Sequence, residues 1–533
     1  MQLQCVVELP YRSPEPSRER RWNRFLRSAS PKLSSEGSTP SEFVDGLPGI
    51  AHLRVTLGDD EVLVDLNRQV KSLGLDFLLL FSARGYRAQF QDCASRGVWC
   101  FYHTDPQRFQ SDVPTFWELY YDHDVGGAAL VQLRKGDDAG VFLKSGYFAI
   151  NRTSFVENVE AKLSAMSNWP AQVCRELQVN PESYVQQPET GLAFNHYGYP
   201  SRFQLLRFRW LLAKNSLLKF LRRQLYRIRW NIGVLKTRPA TLLSQERTVW
   251  PTPLISPRQD EYFADPCAIT EDNATFIFLE QYSYRSNRGS IAMIERREGG
   301  VSAPITVIAE PFHLSYPQVF KYGDGIYCIP ESTSERSVLL YKAVRFPDRW
   351  ERVHTILQDF AAVDSTLVWW SGNWWLFCTN SDEGYNSHLH IWYSPELFGP
   401  WKPHVKNPVK IDARSSGPAG PLILHDDILY RPAQDCSRSY GRRIVMNKVE
   451  ILTPNDFKES AVGTISPSRA SAYHDGLHTI SAAGANVIVD MMRYEFQPQG
   501  LIGLFTGTAG YFARRLGASE DTIAKLKGKP SRR

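Results

Sequence analysis

The chain has 533 residues, enough for two or three domains that each bury a core. Its 43% hydrophobic and 12% aromatic content describes a globular protein and excludes a disordered one, and a net charge of +6 is too weak to argue for nucleic acid, so no nucleic-acid partner is expected. No run of 18 or more apolar residues occurs and no signal peptide is visible, which makes a cytoplasmic soluble protein the default expectation. The eight cysteines form no CxxC or Cys/His cluster, so neither a disulfide framework nor a metal site is expected.

In chain order, residues 1–9 read as a strand and 10–50, rich in Pro, Ser, Arg and Gly, as a loop. Strands are expected at 52–57, 76–82, 97–103, 127–133 and 141–149, with helices near 60–73, 86–95 and 114–122 between them. Strands that alternate with helices predict an α/β layered domain with a largely parallel sheet over 1–150. A helical linker region follows over 151–262. It holds a long basic amphipathic helix at 201–230, which suits either a bridge between two domains or peripheral contact with a membrane.

Five copies of one pattern fill 263–493: FADPCAITEDNATFIFLEQ, SYPQVFKYGDGIYCIPEST, AVDSTLVWWSGNWWLFCTN, GPAGPLILHDDILYRPAQD and GLHTISAAGANVIVDMMR. Anchors at Asp265, Pro317, Asp364, Ala419 and His478 are 52, 47, 55 and 59 residues apart. Hairpin signals at such a period predict a five-bladed β-propeller over 263–494, with the polar residues that start each innermost strand around one central pocket. Glu280, Glu331, Asn380, Gln434 and Asp490, at the polar ends of second strands, together with Arg414, Arg431 and His478, are candidates for binding sugar hydroxyls or a phosphate. The plainer reading is that they satisfy backbone groups at blade edges. Residues 495–533 form a basic tail, with a helix expected near 510–527.

Two resemblances add expectations. The run GVWCFYHTDPQRFQSDVPTFWELYYDHDVGGAALVQLRKGDDAGVFLKSGYFAI (97–150) resembles the amino-terminal domain of formyltransferases, a Rossmann-like fold. The resemblance implies 10-formyltetrahydrofolate as cofactor. It gives His103 the charge developing on the formyl oxygen, and Asp138 the orientation of the histidine and the proton. Phe101 stands where that family has a hydrogen-bonding Asn. The strand–turn–helix unit that opens such domains is not seen ahead of MQLQCVVEL, which implies a start upstream or an abbreviated domain.

The repeats resemble glycoside hydrolase family 43. By that resemblance Asp265 (Ala264-Asp265-Pro266) is a general base and Asp364 (Val363-Asp364-Ser365) a pKa-tuning carboxylate, while Ala419 occupies the position of the acid. The segments YPQVF, IPEST, VDSTL, RPAQDC and GLHTIS also resemble the amino-terminal region of glucosamine inositolphosphorylceramide transferases, which implies a glycan or glycolipid context. Together these imply a carbohydrate-modifying transferase for surface polysaccharide or glycolipid synthesis, with formyl or acyl transfer to an amino sugar as one form of the reaction and a sugar, nucleotide-sugar or glycolipid as substrate. A family 43-type glycoside hydrolase and a non-catalytic glycan-binding protein remain open as alternatives.

Overall fold

A computed structural model of the chain describes residues 5–8, 16–29, 51–54, 67–80, 90, 92–111, 113–133, 139–184, 190–191 and 195–499. The helices expected near 86–95 and 510–527 lie largely or wholly outside these residues, as does Asp138.

Residues 261–496, joined by strands from 226–253, form a β-propeller of five sheets. Blade 1 starts with the strands Glu261–Glu271, Ala274–Ser283 and Arg288–Arg297. Blade 2 runs from Ser315–Tyr322 through Gly325–Glu331 and Ser337–Arg345 to Arg349–Gln358. Blade 3 is built on Ala362–Trp370, Asn373–Asn380 and His388–Ser394. The five sequence copies are the first two strands of each blade. Their hairpins turn on residues with positive φ, Asp272-Asn273, Ser371-Gly372 and Asp426-Asp427, the backbone twist that two-residue hairpins need.

The circle closes with strands taken from both ends of this region. Tyr226–Leu235 pairs antiparallel along its whole length with Asn486–Phe496 in blade 5, and Gln245–Val249 pairs parallel with Phe457–Pro467 in blade 4. The helix expected at 201–230 therefore ends at Leu225, and the linker expected up to 262 supplies propeller strands. The signal was an alternation that the helical reading absorbed: Trp230, Ile232 and Val234 are buried on one face of the strand.

The first region departs further from expectation. Leu78–Leu80 runs parallel to Val98–Tyr102, but Val98–Tyr102, Val125–Leu133, Ala139–Ala149 and Thr190–Gly191 are successive antiparallel neighbours. Only 134–138 join the two long strands, and a parallel pair needs a crossover of a dozen residues or more. The layered parallel sheet of a formyltransferase-like α/β domain is not what these strands build. Helices Phe155–Ser167 and Trp169–Val179 cover one face, where Trp99, Leu130, Met166 and Trp169 pack together. Phe101 is buried in that same cluster, as a core aromatic. Part of the expected loop at 10–50 is a helix, Pro16–Ala29, because Trp22 and Phe25 lie one turn apart and bury against Phe116, Phe155 and Phe208.

The two regions meet through Arg438 and Arg442, which pair with Asp122 and Asp124 at 2.8–3.1 Å, and through the Ala413 N–H, which donates to the Tyr147 carbonyl (2.8 Å).

Candidate functional site

The innermost strands of blades 1–3 share one irregularity. Each has two residues opposite one on its neighbour: Asp265-Pro266, Tyr316-Pro317 and Asp364-Ser365. Asp265, Tyr316 and Asp364 sit at φ 53°, 45° and 54°, in the left-handed region that non-glycine residues avoid. Such bulges bend the strand and re-aim a side chain. Proline is tolerated because a bulged residue on an innermost, one-sided strand has no ladder bond to lose. In blade 4 the matching residue is Gly420, at φ 116°.

The bulges bring side chains from separate blades to one cavity of about 300 Å³. Asp265, Glu280, Glu331, Asp364 and His478 line it, with the aromatic side chains of Trp230, Tyr262, Tyr385 and Tyr440. Glu280 and Glu331 enter from the second strands of their blades, opposite Ala264 and Ser315, the residues just before each bulge.

Every carboxyl here is buried and held. Asp265 Oδ1 accepts from Thr479 Oγ1 (3.1 Å) and Oδ2 from the Tyr316 N–H (3.3 Å). Glu331 Oε2 accepts from the Asp364 N–H (3.0 Å), and Asp364 Oδ2 accepts from Gln434 Nε2 (2.7 Å). His478 lies between two carboxylates, Nε2 at 3.3 Å from Asp265 Oδ1 and Nδ1 at 2.5 Å from Asp490 Oδ2, and its ring stacks on Trp230 with centroids 4.1 Å apart. Glu280 differs: its Oε1 has no hydrogen-bond partner among the described residues.

Burial raises all four carboxyls that line the cavity. Glu280 is pushed well above its ordinary value, by burial first and then by Asp265 and Glu331. Asp364 is also pushed well above, by burial and then by Glu331 and Asp265. Asp265 and Glu331 rise through burial. His478 goes the other way from a buried imidazole. Burial alone would lower it, and the Asp490 and Asp265 carboxylates outweigh that and raise it. The cavity thus gathers carboxyls whose burial favours the protonated form beside a histidine whose carboxylate neighbours favour its cationic form. The three triad side chains bring ligand atoms within 4.8 Å of one another, a donor set that could also hold a divalent cation.

The remaining sequence candidates fall elsewhere. Gln434 stands behind Asp364 and orients it. Arg431 is fully buried and forks onto Glu459 at 2.6 and 2.8 Å, with further bonds to the Ser415 and Ser416 carbonyls, so it holds blade 4 together instead of facing the funnel. Arg414 forks onto Asp412 and lies 4.0 Å over the Tyr147 ring, at the junction of the two regions. Ala419 is packed among Ile444, Leu477 and Ile480.

His103 does end a buried strand, as expected. Burial and the neighbouring Lys162 lower it to about 4, so it is neutral at pH 7. Lys162 Nζ donates to the His103 carbonyl (3.1 Å) and pairs with Glu118 at 2.9 Å, both side chains buried. Sequence reasoning missed this pair, and it missed Trp230, Tyr262, Tyr316 and Tyr440, whereas Asp490 was expected as the polar end of a second strand. Tyr316-Pro317 could have been found, since it repeats Asp265-Pro266 at a distance of 51 residues.

The family described as "Glucosamine inositolphosphorylceramide transferase 1, N-terminal" matches residues 255–477, which covers blades 1–3 and blade 4 apart from its closing strand Gln245–Val249, and stops one residue short of His478. A protein named Glucosamine inositolphosphorylceramide transferase 1 from Oryza sativa subsp. japonica is 34% identical over 258 residues, 44% of this chain and 34% of its own length. Its namesake from Arabidopsis thaliana is 36% identical over 208 residues, 38% of this chain and 27% of its own. The chain spans about a third of the curated relatives it matches. Among solved structures, a family 117 glycoside hydrolase from Zobellia galactanivorans aligns at TM-score 0.33 and 12% identity (50% of this chain, 90% of that one). A thermostable family 43 glycoside hydrolase aligns at TM-score 0.30 and 13% identity (40% and 78%).

Proposed function

We propose that this protein modifies a sugar of a glycolipid or surface polysaccharide by group transfer, and that the propeller funnel is where the sugar is held. The observation that carries the reading is the convergence of Asp265, Glu280, Glu331 and Asp364 with Trp230, Tyr262 and Tyr440 on one cavity. A sugar ring presents hydroxyls that both donate and accept, and an apolar face. Carboxyls, which accept when ionised and donate when protonated, match the first, and aromatic rings match the second. The names of the relatives, transferases of a glycosylated phosphorylceramide, support a glycolipid as the source of the sugar.

Saturation-transfer NMR with a panel of methyl glycosides, amino sugars and inositol-phosphate glycans tests it. Ring protons of at least one sugar should receive saturation from the wild-type protein, and Asp265→Asn should abolish the transfer. No transfer to any member of the panel would remove the reading.

Hydrolysis of a glycosidic bond is the second reading, favoured by Glu280, which burial pushes toward its acid form, beside Asp265. One carboxyl would protonate the leaving oxygen and the other would activate water. Ala419 lies in the blade core and Gly420 carries no acid, so the first reading expects negligible turnover of aryl arabinosides and xylosides. Robust release of the aryl group that disappears in both Asp265→Asn and Glu280→Gln would promote the hydrolase reading above transfer.

A further inference from the structure

Among the described residues the helix Arg202–Leu225 is fastened to the protein by one face, with Arg207 and Arg209 reaching round from its sides to Tyr120 and Phe25. Phe208 is buried among Phe25, Phe116 and Phe155; seven residues on, Asn215 donates to the Arg152 carbonyl (3.2 Å); seven further, Arg222 lies 3.6 Å over the Tyr494 ring. At 100° per residue, the face opposite this line holds Phe203, Leu206, Trp210, Ala213, Leu217 and Phe220, spaced 3, 4, 3, 4 and 3 apart. All six are exposed, Phe203 at 84% and Trp210 at 60%. This is an apolar stripe about 26 Å long, at 1.5 Å per residue, turned away from the body of the protein.

Charge identifies what covers it. The helix carries seven Arg and Lys and no Asp or Glu. Arg202, Lys214 and Arg223 flank the stripe. In a pair of such helices these flanking positions would face one another as like charges, which disfavours a second copy of the chain. An anionic surface of low polarity satisfies both the stripe and its flanks. We infer that this helix docks the protein on the surface of an anionic lipid bilayer, its apolar stripe in the acyl boundary and its Arg and Lys among the headgroups.

The helix leads directly into the strand that carries Trp230, a residue of the cavity wall. It ends at Leu225, five residues before Trp230, or about 17 Å along an extended strand. The docking inference does not depend on the sugar reading.

The test is co-sedimentation of the full-length protein with vesicles of phosphatidylcholine alone and of phosphatidylcholine with about one third phosphatidylglycerol. Binding is expected to the anionic vesicles and to fall with added salt. Trp210→Glu combined with Leu217→Glu should abolish it with an unchanged melting temperature, because both side chains are exposed. Arg202→Gln, Lys214→Gln and Arg223→Gln should each lower partitioning about fivefold. These charge variants keep the test valid if the double Glu variant misfolds. Three outcomes would overturn the inference: no vesicle binding, as an acidic protein partner would give; equal binding to neutral vesicles; or a concentration-dependent dimer that Trp210→Glu disperses without any vesicle binding.

Discussion

At the scale of single residues, the funnel gathers buried carboxyls that are all raised above their ordinary values. Glu280 is the extreme case, buried, surrounded by Asp265 and Glu331, and short of one hydrogen-bond partner. A carboxyl raised on folding is protonated in the fold and ionised in the unfolded chain. Its contribution to stability is therefore present below its ordinary value and is lost as pH rises toward the folded value. Glu280→Gln removes that loss while keeping the shape. It should melt higher than wild type at about pH 8 and like wild type at about pH 4, measured by calorimetry. An equal difference at both values would mean that Glu280 is ionised in the fold. Asp265, Asp364 and His478 were legible in the sequence as repeat anchors. Arg431 and Arg414 were not placed by it, because a side chain's type does not say which way it leaves the strand, and Glu459 and Asp412 claim both guanidinium groups.

At the scale of elements, the bulge is the device that turns strand residues into site residues. Blade 4 shows the constraint most plainly. Gly420 has φ 116°, and a Cβ there would lie 1.9 Å from the Ile480 carbonyl oxygen. Its N–H donates to the Tyr316 hydroxyl at 2.5 Å, which ties blade 4 to blade 2 across the funnel. Gly420→Ala should cost about 2–4 kcal/mol through backbone strain and overlap, read as a lower melting temperature. A melting temperature unchanged from wild type would mean that this backbone is free to relax. The repeat was readable because turns and apolar runs recur at a fixed period. The bulges were not, since a bulge adds one residue without altering composition. The same limit explains the first region. Its strands were legible one by one, whereas their direction depends on loop length, and the five-residue join at 134–138 makes a hairpin.

At the scale of the whole molecule, the propeller is closed by strands that precede the sequence repeat. Tyr226–Leu235 completes blade 5 and Gln245–Val249 completes blade 4. A fragment of 226–499 should therefore unfold in one cooperative transition. A fragment of 263–494 should give no such transition and should aggregate, because it leaves two long edges unpaired. Equal behaviour of the two would show that the closing strands are dispensable. The central claim is that carbohydrate is bound in the funnel. Calorimetric titration of the best-binding sugar against four variants tests it most directly. Asp364→Asn and Tyr440→Ala alter the funnel, while Arg414→Ala and His103→Ala leave it untouched. The funnel variants should weaken binding roughly 10- to 100-fold, the loss of a buried hydrogen bond or ring contact, and the other two should bind like wild type. Full affinity in Asp364→Asn and Tyr440→Ala, with binding lost in His103→Ala, would place the sugar in the first region and contradict the account.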